Sequence, residues 1–220
     1  MSRLRVKSSL LIGSLAALSA CGSGGTTTVT AKYPLDLAVN TFWQMPHTFH
    51  LKATNGSDNY TLDTTITPGS QASFQGVQAM TDKTVSTETK NGAAIQSGTS
   101  TDYFLTTPYT QLGTVLGTGL TIIDGDQKPL PEFAEAGASG SLDTQKYYSD
   151  SSLGTQVATG SRFWTLNELT SDTAQFCIED DDDVGGPPET EFDCFDLDIK
   201  GNVTAIQITF QSGSQSLIFK

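Results

Sequence analysis

The densest set of chemically active side chains lies in one acidic stretch, residues 179–193. The stretch contains eight Asp and Glu residues around a central Val-Gly-Gly-Pro-Pro segment. Carboxylates that face one another across a hairpin repel, and a hard cation such as Ca²⁺, which takes several oxygen ligands, would relieve that repulsion. Asp181, Asp183 and Glu189 are the candidate ligands. The spacing is not that of an EF-hand loop, so a solvated acidic loop without metal is the alternative interpretation.

Histidine chemistry is sparse, because His47 and His50 are the only two histidines in the chain. Their spacing of three places them on opposite faces of a strand, so we expect structural or surface roles. The sequence contains no Gly-x-Ser-x-Gly, Ser-x-x-Lys, Walker or His-Glu-x-x-His motif. A hydrolase would therefore depend on paired carboxylates, whose positions the sequence does not reveal. We predict no catalytic residue and no cofactor.

The first 21 residues follow the order of an export signal. Three basic residues and no acidic one occur among the first seven, and a short apolar run follows over residues 8–17. This run is too short to span a membrane as a helix. It leads into Leu18-Ser19-Ala20-Cys21, which resembles the lipobox of bacterial lipoproteins. The resemblance implies cleavage before Cys21, a diacylglycerol on the sulfur of Cys21, and usually an acyl group on its new amine.

The resemblance also predicts how the mature chain is held. Residues 1–20 would be the cleaved signal, and residues 21–32 a lipidated tether that spans about 15 Å over its Gly- and Ser-rich part. Because buried acyl chains contribute ~0.8 kcal/mol per CH₂, the predicted partner is a lipid bilayer, contacted through Cys21. In Gram-negative lipoproteins an Asp after the cysteine commonly retains the protein at the inner membrane. Gly22 therefore implies the outer membrane, with the periplasmic and surface sides left open.

The mature chain is strongly acidic. Without the three basic residues of the signal it has 12 − 3 = 9 Lys and Arg against 24 Asp and Glu, a net charge of −15. Such a surface repels nucleic acid. The expected partner beyond the bilayer is an envelope protein or a glycan.

Two cysteines remain once Cys21 carries lipid, and an oxidising compartment favours a disulfide between Cys177 and Cys194. A tight hairpin turn at Gly185-Gly186 would place these two cysteines directly opposite each other, within disulfide distance. A proline in the tip has no N–H to donate to the ladder. The sequence therefore predicts pairing near the disulfide and a splayed tip over residues 181–190.

Composition and alternation predict an all-β fold, either an antiparallel sandwich or a partly closed barrel. Turns at Gly201-Asn202 and Gly213-Ser214 predict a C-terminal meander over 192–220, braced by the disulfide. The first turn pairs Phe195 with Ile208, and the second pairs Phe210 with Leu217. Both place one set of apolar side chains on a single face: Phe195, Leu197, Ile206, Ile208, Phe210, Leu217 and Phe219.

The body divides in sequence into a β-rich region over 33–138 and the meander region over 139–220. Within the first region, residues 33–39 are interpreted as an edge strand or one helical turn, followed by an aromatic connector over 40–46. Residues 109–138 are interpreted as a long connection, with a short strand over 120–123 left open, because two prolines preclude a regular central strand there. Upstream of the disulfide, Trp164 is expected opposite Ile178.

These features predict an envelope-anchored protein with a non-catalytic binding, adaptor or structural role and an unknown ligand. Two other functions stay open at this point. One is a cell-surface hydrolase, which would carry two acids within catalytic distance in a deep cleft. The other is a calcium-dependent adhesin that acts through the acidic stretch.

Overall fold

The computed structural model describes residues 31–184, 189–213 and 215–220. Within these ranges the chain forms one helix and fifteen strands. In chain order they are β1 (Lys32–Tyr33), α1 (Leu35–Trp43), β2 (His47–Asn55), β3 (Asp58–Pro68), β4 (Ala72–Phe74), β5 (Val77–Lys90), β6 (Ala93–Thr106), β7 (Tyr109–Leu116), β8 (Thr121–Gly125), β9 (Ala134–Glu135), β10 (Ser139–Tyr148), β11 (Gln156–Thr170), β12 (Thr173–Asp182), β13 (Glu189–Asp198), β14 (Val203–Ser212) and β15 (Gln215–Phe219).

Twelve strands form one antiparallel series, in the order β2-β3-β5-β6-β7-β8-β10-β11-β12-β13-β14-β15. The short strand β4 pairs with β5, and β1 pairs with β9 in a separate small sheet. The pairing partners are therefore close neighbours along the chain, which is the pattern expected for hairpins joined in sequence.

The two outer strands of the series meet at a seam between Lys52 of β2 and Lys220 beyond β15. Each backbone N–H donates to the carbonyl of the other residue, at 2.9 and 3.0 Å. Phe219, which is fully buried, packs there with Leu51 and Leu62. The sheet is therefore nearly closed and barrel-like, which confirms the predicted all-β antiparallel fold in its partly closed form.

The disulfide-bearing hairpin has the predicted register, with Cys177 of β12 opposite Cys194 of β13. The sulfur atoms are 2.11 Å apart and the Cα atoms 4.0 Å apart, which confirms the disulfide. The ladder continues to Asp182 opposite Glu189, so the prediction of a splayed tip is wrong at both ends of its range. The hydroxyl of Thr190 donates to Asp181 at 2.6 Å. This hydrogen bond stabilises the pairing of β12 with β13 at that position. The predicted Gly185-Gly186 turn lies outside the described residues.

The C-terminal meander is present, with one register confirmed and one corrected. β14 and β15 pair with Phe210 opposite Leu217, as predicted. β13 and β14 place Phe195 opposite Ile206, where the sequence analysis expected Ile208. The shift is two residues, and because side chains alternate with a period of two, the predicted apolar face is kept.

Asp198 is the physical reason for that shift. Its carboxylate accepts the backbone N–H of Lys200 at 2.8 Å and that of Asn202 at 2.9 Å. These contacts stabilise a four-residue connection over 199–202 in place of the expected two-residue turn.

The middle of the chain is more regular than predicted. β7 and β8 pair with each other and with the flanking strands β6 and β10. The prediction of an irregular connection is therefore wrong for β7, whereas the short strand considered over 120–123 is found as β8. Pro129 and Pro131 follow β8 and do not interrupt it. The pairing of β8 with β10 also crosses the predicted division between residues 138 and 139.

Helix α1 replaces the strand or single turn expected over residues 33–39. It buries Leu35, Ala38, Val39 and Phe42, the spacing of one helical face. The ring of Phe42 meets that of Phe195 edge-on, with centroids 5.0 Å apart. The helix therefore fills one end of the sheet's interior with apolar side chains.

The inward-facing side chains change from apolar to acidic along the strands. On β12 the sequence runs from buried Ala174 and Phe176 through Ile178 to Asp180 and Asp182. We call the α1 end the apolar half; its core is Leu35, Ala38, Val39, Phe42, Phe104, Trp164, Leu166, Ala174, Phe176, Phe195 and Leu197. We call the other part the acidic half; its members are Asp82, Asp102, Asp124, Asp143, Arg162, Asp180, Glu191 and Asp193.

Candidate functional site

The acidic half is organised around Arg162 on β11, which is 6% exposed. Its Nε donates to Asp143 Oδ1 at 3.0 Å, and its Nη2 donates to Asp124 Oδ2 at 2.9 Å and also to Asp143 Oδ2. Its Nη1 donates to Gln111 Oε1 at 2.6 Å. One guanidinium therefore links β7, β8, β10 and β11, using the planar, multiply donating geometry that favours arginine over lysine.

A second layer of hydrogen bonds supports Asp124. Gln145 Nε2 donates to Asp124 Oδ1 at 3.1 Å, and the hydroxyl of Tyr147 donates to Gln145 Oε1 at 2.8 Å. Burial raises the pKa of Asp124 to about 6, and the nearby charge of Asp143 adds to the shift, while Arg162 and Gln145 oppose it. The network therefore holds a carboxyl group whose protonation changes near neutral pH.

Asp82 and Asp102 form a facing pair across β5 and β6. Asp102 accepts hydrogen bonds from the hydroxyl of Thr114 and from Gln111 Nε2, the latter at 3.3 Å. Asp82 is 1% exposed, and within the described ranges neither of its carboxyl oxygens has a hydrogen-bond partner. Burial, followed by the charge of Asp102, raises the pKa of Asp82 to about 8.

A third acidic group lies between β12 and β13. Asp180 is opposite Glu191, and Ile178 is opposite Asp193. Burial raises the pKa of Asp180 to about 7, that of Asp193 to about 6, and that of Glu191 well above its usual range. One oxygen of Asp180 is buried without a partner among the described residues. The seven carboxyl groups of the acidic half thus share the described interior with the guanidinium of Arg162.

Such an arrangement can hold protons or position polar groups. Among the residues that the structure describes, no three His, Cys, Asp or Glu side chains are placed to hold one metal ion. A shallow depression, open to solvent and with a volume of about 30 Å³, reaches Arg162, Asp143 and Gln111 from one side. A smaller one of about 10 Å³ lies between α1 and the apolar half and is lined by apolar side chains.

The predicted metal ligands do not converge in the described part of the acidic stretch. Asp181 accepts the hydroxyl of Thr190. Asp183 accepts the backbone N–H of Thr159 at 2.8 Å. The side chain of Glu189 lies outside the described residues. Both described carboxylates therefore stabilise the strand ends through protein donors.

The remaining sequence-predicted residues have simpler positions. Cys21 and its lipobox lie outside the described residues. Cys177 and Cys194 form a buried bridge on the outer face of β12 and β13. The ring of His47 stacks on Phe42 with centroids 4.2 Å apart, and His50 contacts Asp63 at the surface. Among the described residues, no helix is long and apolar enough to cross a membrane.

Sequence reasoning missed the acidic half, although one signal for part of it was present. The register that sets Trp164 opposite Ile178 also sets Arg162 opposite Asp180. The register of the disulfide hairpin then sets Asp180 opposite Glu191. Residues two apart on a strand share a face. The side chains of Arg162, Asp180 and Glu191 are therefore expected on the same face of the sheet as the apolar Trp164 and Ile178.

A different surface feature is found on β6, which extends past its neighbour β7. Pairing with β7 covers Ser100 to Thr106. Residues 93–99 are all exposed and pair with β5, except Ile95, which lies at a bulge in that pairing. The carbonyl of Thr99 accepts the N–H of Gly117 at 2.7 Å. Residues 93–98, which we call the open edge, have no second strand among the described residues. They contain no charge and no proline, two of the features that protect strand edges, and the bulge at Ile95 is the one such feature found there.

No family model matches this chain, and neither the curated proteins nor the solved structures give a match.

Proposed function

We propose that this chain is a lipid-anchored protein of a bacterial outer membrane that binds a partner protein and catalyses no reaction. The anchoring part is supported by Leu18-Ser19-Ala20-Cys21 and the export signal before it. The binding part is supported by one observation, the open edge of β6. In this proposal an extended segment of the partner adds to the open edge as a further antiparallel strand.

The backbone of the open edge carries the argument. Its outward N–H and C=O groups face no other strand among residues 31–184, 189–213 and 215–220, and an added strand would give them regular hydrogen bonds. β5 already holds residues 93–98 in an extended conformation, so little ordering of this chain opposes binding. Ile95, which is 53% exposed, offers an apolar contact beside the backbone ladder.

Charge also favours this location. The full chain has a net charge of −12, which repels acidic partners over most of the surface. Because the open edge carries no charged side chain, an incoming strand of either sign approaches it without a directly opposed like charge.

Site-specific photo-crosslinking in cells tests the binding proposal. A photoreactive residue at Ile95 should capture a partner protein, whereas one at Leu169, an equally exposed aliphatic position on β11, should not. The same captured proteins from both positions would contradict the proposal, because a specific edge requires a difference between them.

Proline substitutions at two adjacent positions, made one at a time, test whether the partner binds by strand addition. Successive residues of an antiparallel strand direct their N–H groups alternately to the two sides, so Gln96→Pro and Ser97→Pro remove donors from opposite sides of β6. One variant should lose thermal stability because it breaks a bond to β5. The other should keep its stability and lose the crosslink from Ile95. Retention of the crosslink in the stable variant would exclude strand addition.

Fractionation of cell membranes tests the anchor. Cys21→Ser should release a folded protein into the soluble fraction, since the lipid would no longer form. Gly22→Asp is the matched control, because it keeps the cysteine and should move the protein to the inner membrane. Continued sedimentation of Cys21→Ser with membranes would contradict the anchoring proposal.

A further inference from the structure

We propose that Asp82 and Asp102 share a single proton, with Asp82 as a carboxylic acid that donates its O–H to the carboxylate of Asp102. The pair would act as a pH-sensitive lock between β5 and β6. This inference concerns the interior of the sheet and does not depend on the proposed function.

The geometry assigns the two roles. Asp82 is 1% exposed, and in the part of the chain that the structure describes no donor reaches either oxygen. An ionised carboxylate without a donor is strongly disfavoured in such a site. Asp102 receives hydrogen bonds from Thr114 and Gln111, and these donors favour its charged form, whereas Asp82 has none to offset its burial. A proton on Asp82 removes the repulsion between two facing carboxylates. It also supplies the hydrogen bond that Asp82 otherwise lacks.

A metal ion in place of the proton is less compatible with the arrangement. Hard divalent cations take six or more oxygen ligands. Among the described residues, no set of three acidic, histidine or cysteine side chains is placed to hold one ion. Two facing carboxyl groups with few further ligands suit a proton better than Ca²⁺.

Charged and titratable groups on the surrounding strands set the background for this pair. β6 contributes Asp102 itself, and β3 contributes uncharged Pro68 opposite Asp82. The groups that interact electrostatically with Asp102 or with both members come from β7, β8, β11 and β13: Tyr109, Asp124, Arg162 and Asp193. Burial raises the pKa of Asp102, and the hydrogen bond from Thr114 and the charge of Arg162, the cation of this set, oppose that rise. These opposing contacts are the reason for assigning Asp102 as the charged member.

The pH window follows from the difference between the folded and unfolded states. An aspartate in an unfolded chain has a pKa of about 3.9, whereas the pKa of Asp82 in the folded protein is about 8. Between these values the folded state binds a proton that the unfolded state does not. The folded state is therefore favoured at low pH, and the Asp82 contribution is lost as pH rises to about 8.

Denaturant unfolding of the purified protein between about pH 5 and pH 9 tests the proposal. Asp82→Asn replaces the acid by an amide that donates at every pH, so this variant should lack the Asp82 contribution. The folding equilibrium constant of Asp82→Asn relative to wild type should rise by up to tenfold per pH unit until about pH 8 and then level off. The matched control is Asp172→Asn, an exposed turn position, for which the same ratio should stay constant.

A second measurement uses the wild-type chain alone, which keeps the proposal testable if Asp82→Asn folds poorly. With ¹³C-labelled aspartate side chains, NMR should show one carboxyl carbon that titrates near pH 8. A constant stability ratio for Asp82→Asn, or aspartate signals that all finish titrating below neutral pH, would overturn the shared proton. Millimolar CaCl₂ that stabilises wild type and not Asp82→Asn would also overturn it, because a cation would then occupy the gap.

Discussion

The apolar half and the acidic half are built by the same strands, yet they are stabilised in different ways. On β11, Leu166 and Arg162 are four residues apart on one face, and on β12 Phe176 and Asp180 have the same separation. Apolar contacts are non-directional and insensitive to pH. The acidic half depends on one cation, on fixed donors and on bound protons. One sheet can therefore contain a part that responds to pH beside a part that does not.

Among the substitutions that test this comparison, removal of Arg162 should cause the largest loss of unfolding free energy. Arg162→Met leaves Asp124 and Asp143 buried without their cation, and breaking a buried ion pair in this way costs about 3–5 kcal/mol of unfolding free energy. Urea unfolding near neutral pH measures the loss. Arg162→Lys is the control, and it should lose less because it keeps the charge but not the planar set of donors. A loss below about 1 kcal/mol for Arg162→Met would show that the acidic half does not depend on the cation.

A cavity in the apolar half should lower the unfolding free energy by the same amount at every pH. Leu166 is fully buried, and Leu166→Ala should lower the unfolding free energy by about 2–5 kcal/mol. Because no titratable group is removed, the loss measured in acidic and in alkaline buffer should be the same. A loss that changed with pH would show that the two halves are coupled.

The disulfide lies on the outer face and should stabilise both halves alike. Replacing Cys177 and Cys194 together by Ser should cost about 3 kcal/mol, because a loop of this size is no longer closed in the unfolded chain. Thermal unfolding of the double variant against wild type measures the effect. Equal stability of the two proteins would mean that native contacts alone fix the register of β12 and β13.

Asp180 offers a smaller pH effect within the acidic half. Burial raises its pKa to about 7, so its contribution to stability falls as pH rises from about 4 to about 7. Asp180→Asn should therefore gain about 1 kcal/mol relative to wild type between pH 5 and pH 7, since solvent screens part of the interaction at this half-buried site. Denaturant midpoints at the two pH values measure the gain. No gain would mean that Asp180 is ionised throughout.

The smallest effect is expected on the outer side of α1. Leu37 is 56% exposed, and Leu37→Gln should change the unfolding free energy by less than about 0.5 kcal/mol. The inward position Ala38 is the comparison, because Ala38→Gln would place a polar chain in the apolar half. If Leu37→Gln were strongly destabilising, the outer face of α1 would have to pack against something.

The C-terminal hairpins show which strand registers could be predicted from the sequence and which could not. A tight turn at Gly185-Gly186 together with cysteine pairing predicted the register of Cys177 with Cys194, because both signals are local and agree. The connection after β13 could not be predicted in the same way. Gly201-Asn202 has the residues of a tight turn, but the carboxylate of Asp198 binds backbone N–H groups and stabilises a longer connection.

Helix α1 and most of the acidic half could not be predicted from the sequence, for two different reasons. Leu35, Ala38, Val39 and Phe42 have helical spacing, but the segment is short and follows a proline, so a strand or a single turn was an equal interpretation. Most of the acidic half depends on strands that are distant in sequence. No local pattern indicates that Asp82 and Arg162 share one interior until the sheet is known to close.

The seam between Lys52 and Lys220 bears on the order in which the protein folds. These residues are 220 − 52 = 168 positions apart, whereas the other pairings of the twelve-strand series join hairpins or near neighbours. Contacts between distant residues carry the larger loop-closure entropy and slow folding. We therefore expect the hairpins to form first and the seam to form after the main transition state, so substitutions at Phe219 should accelerate unfolding and leave the folding rate nearly unchanged.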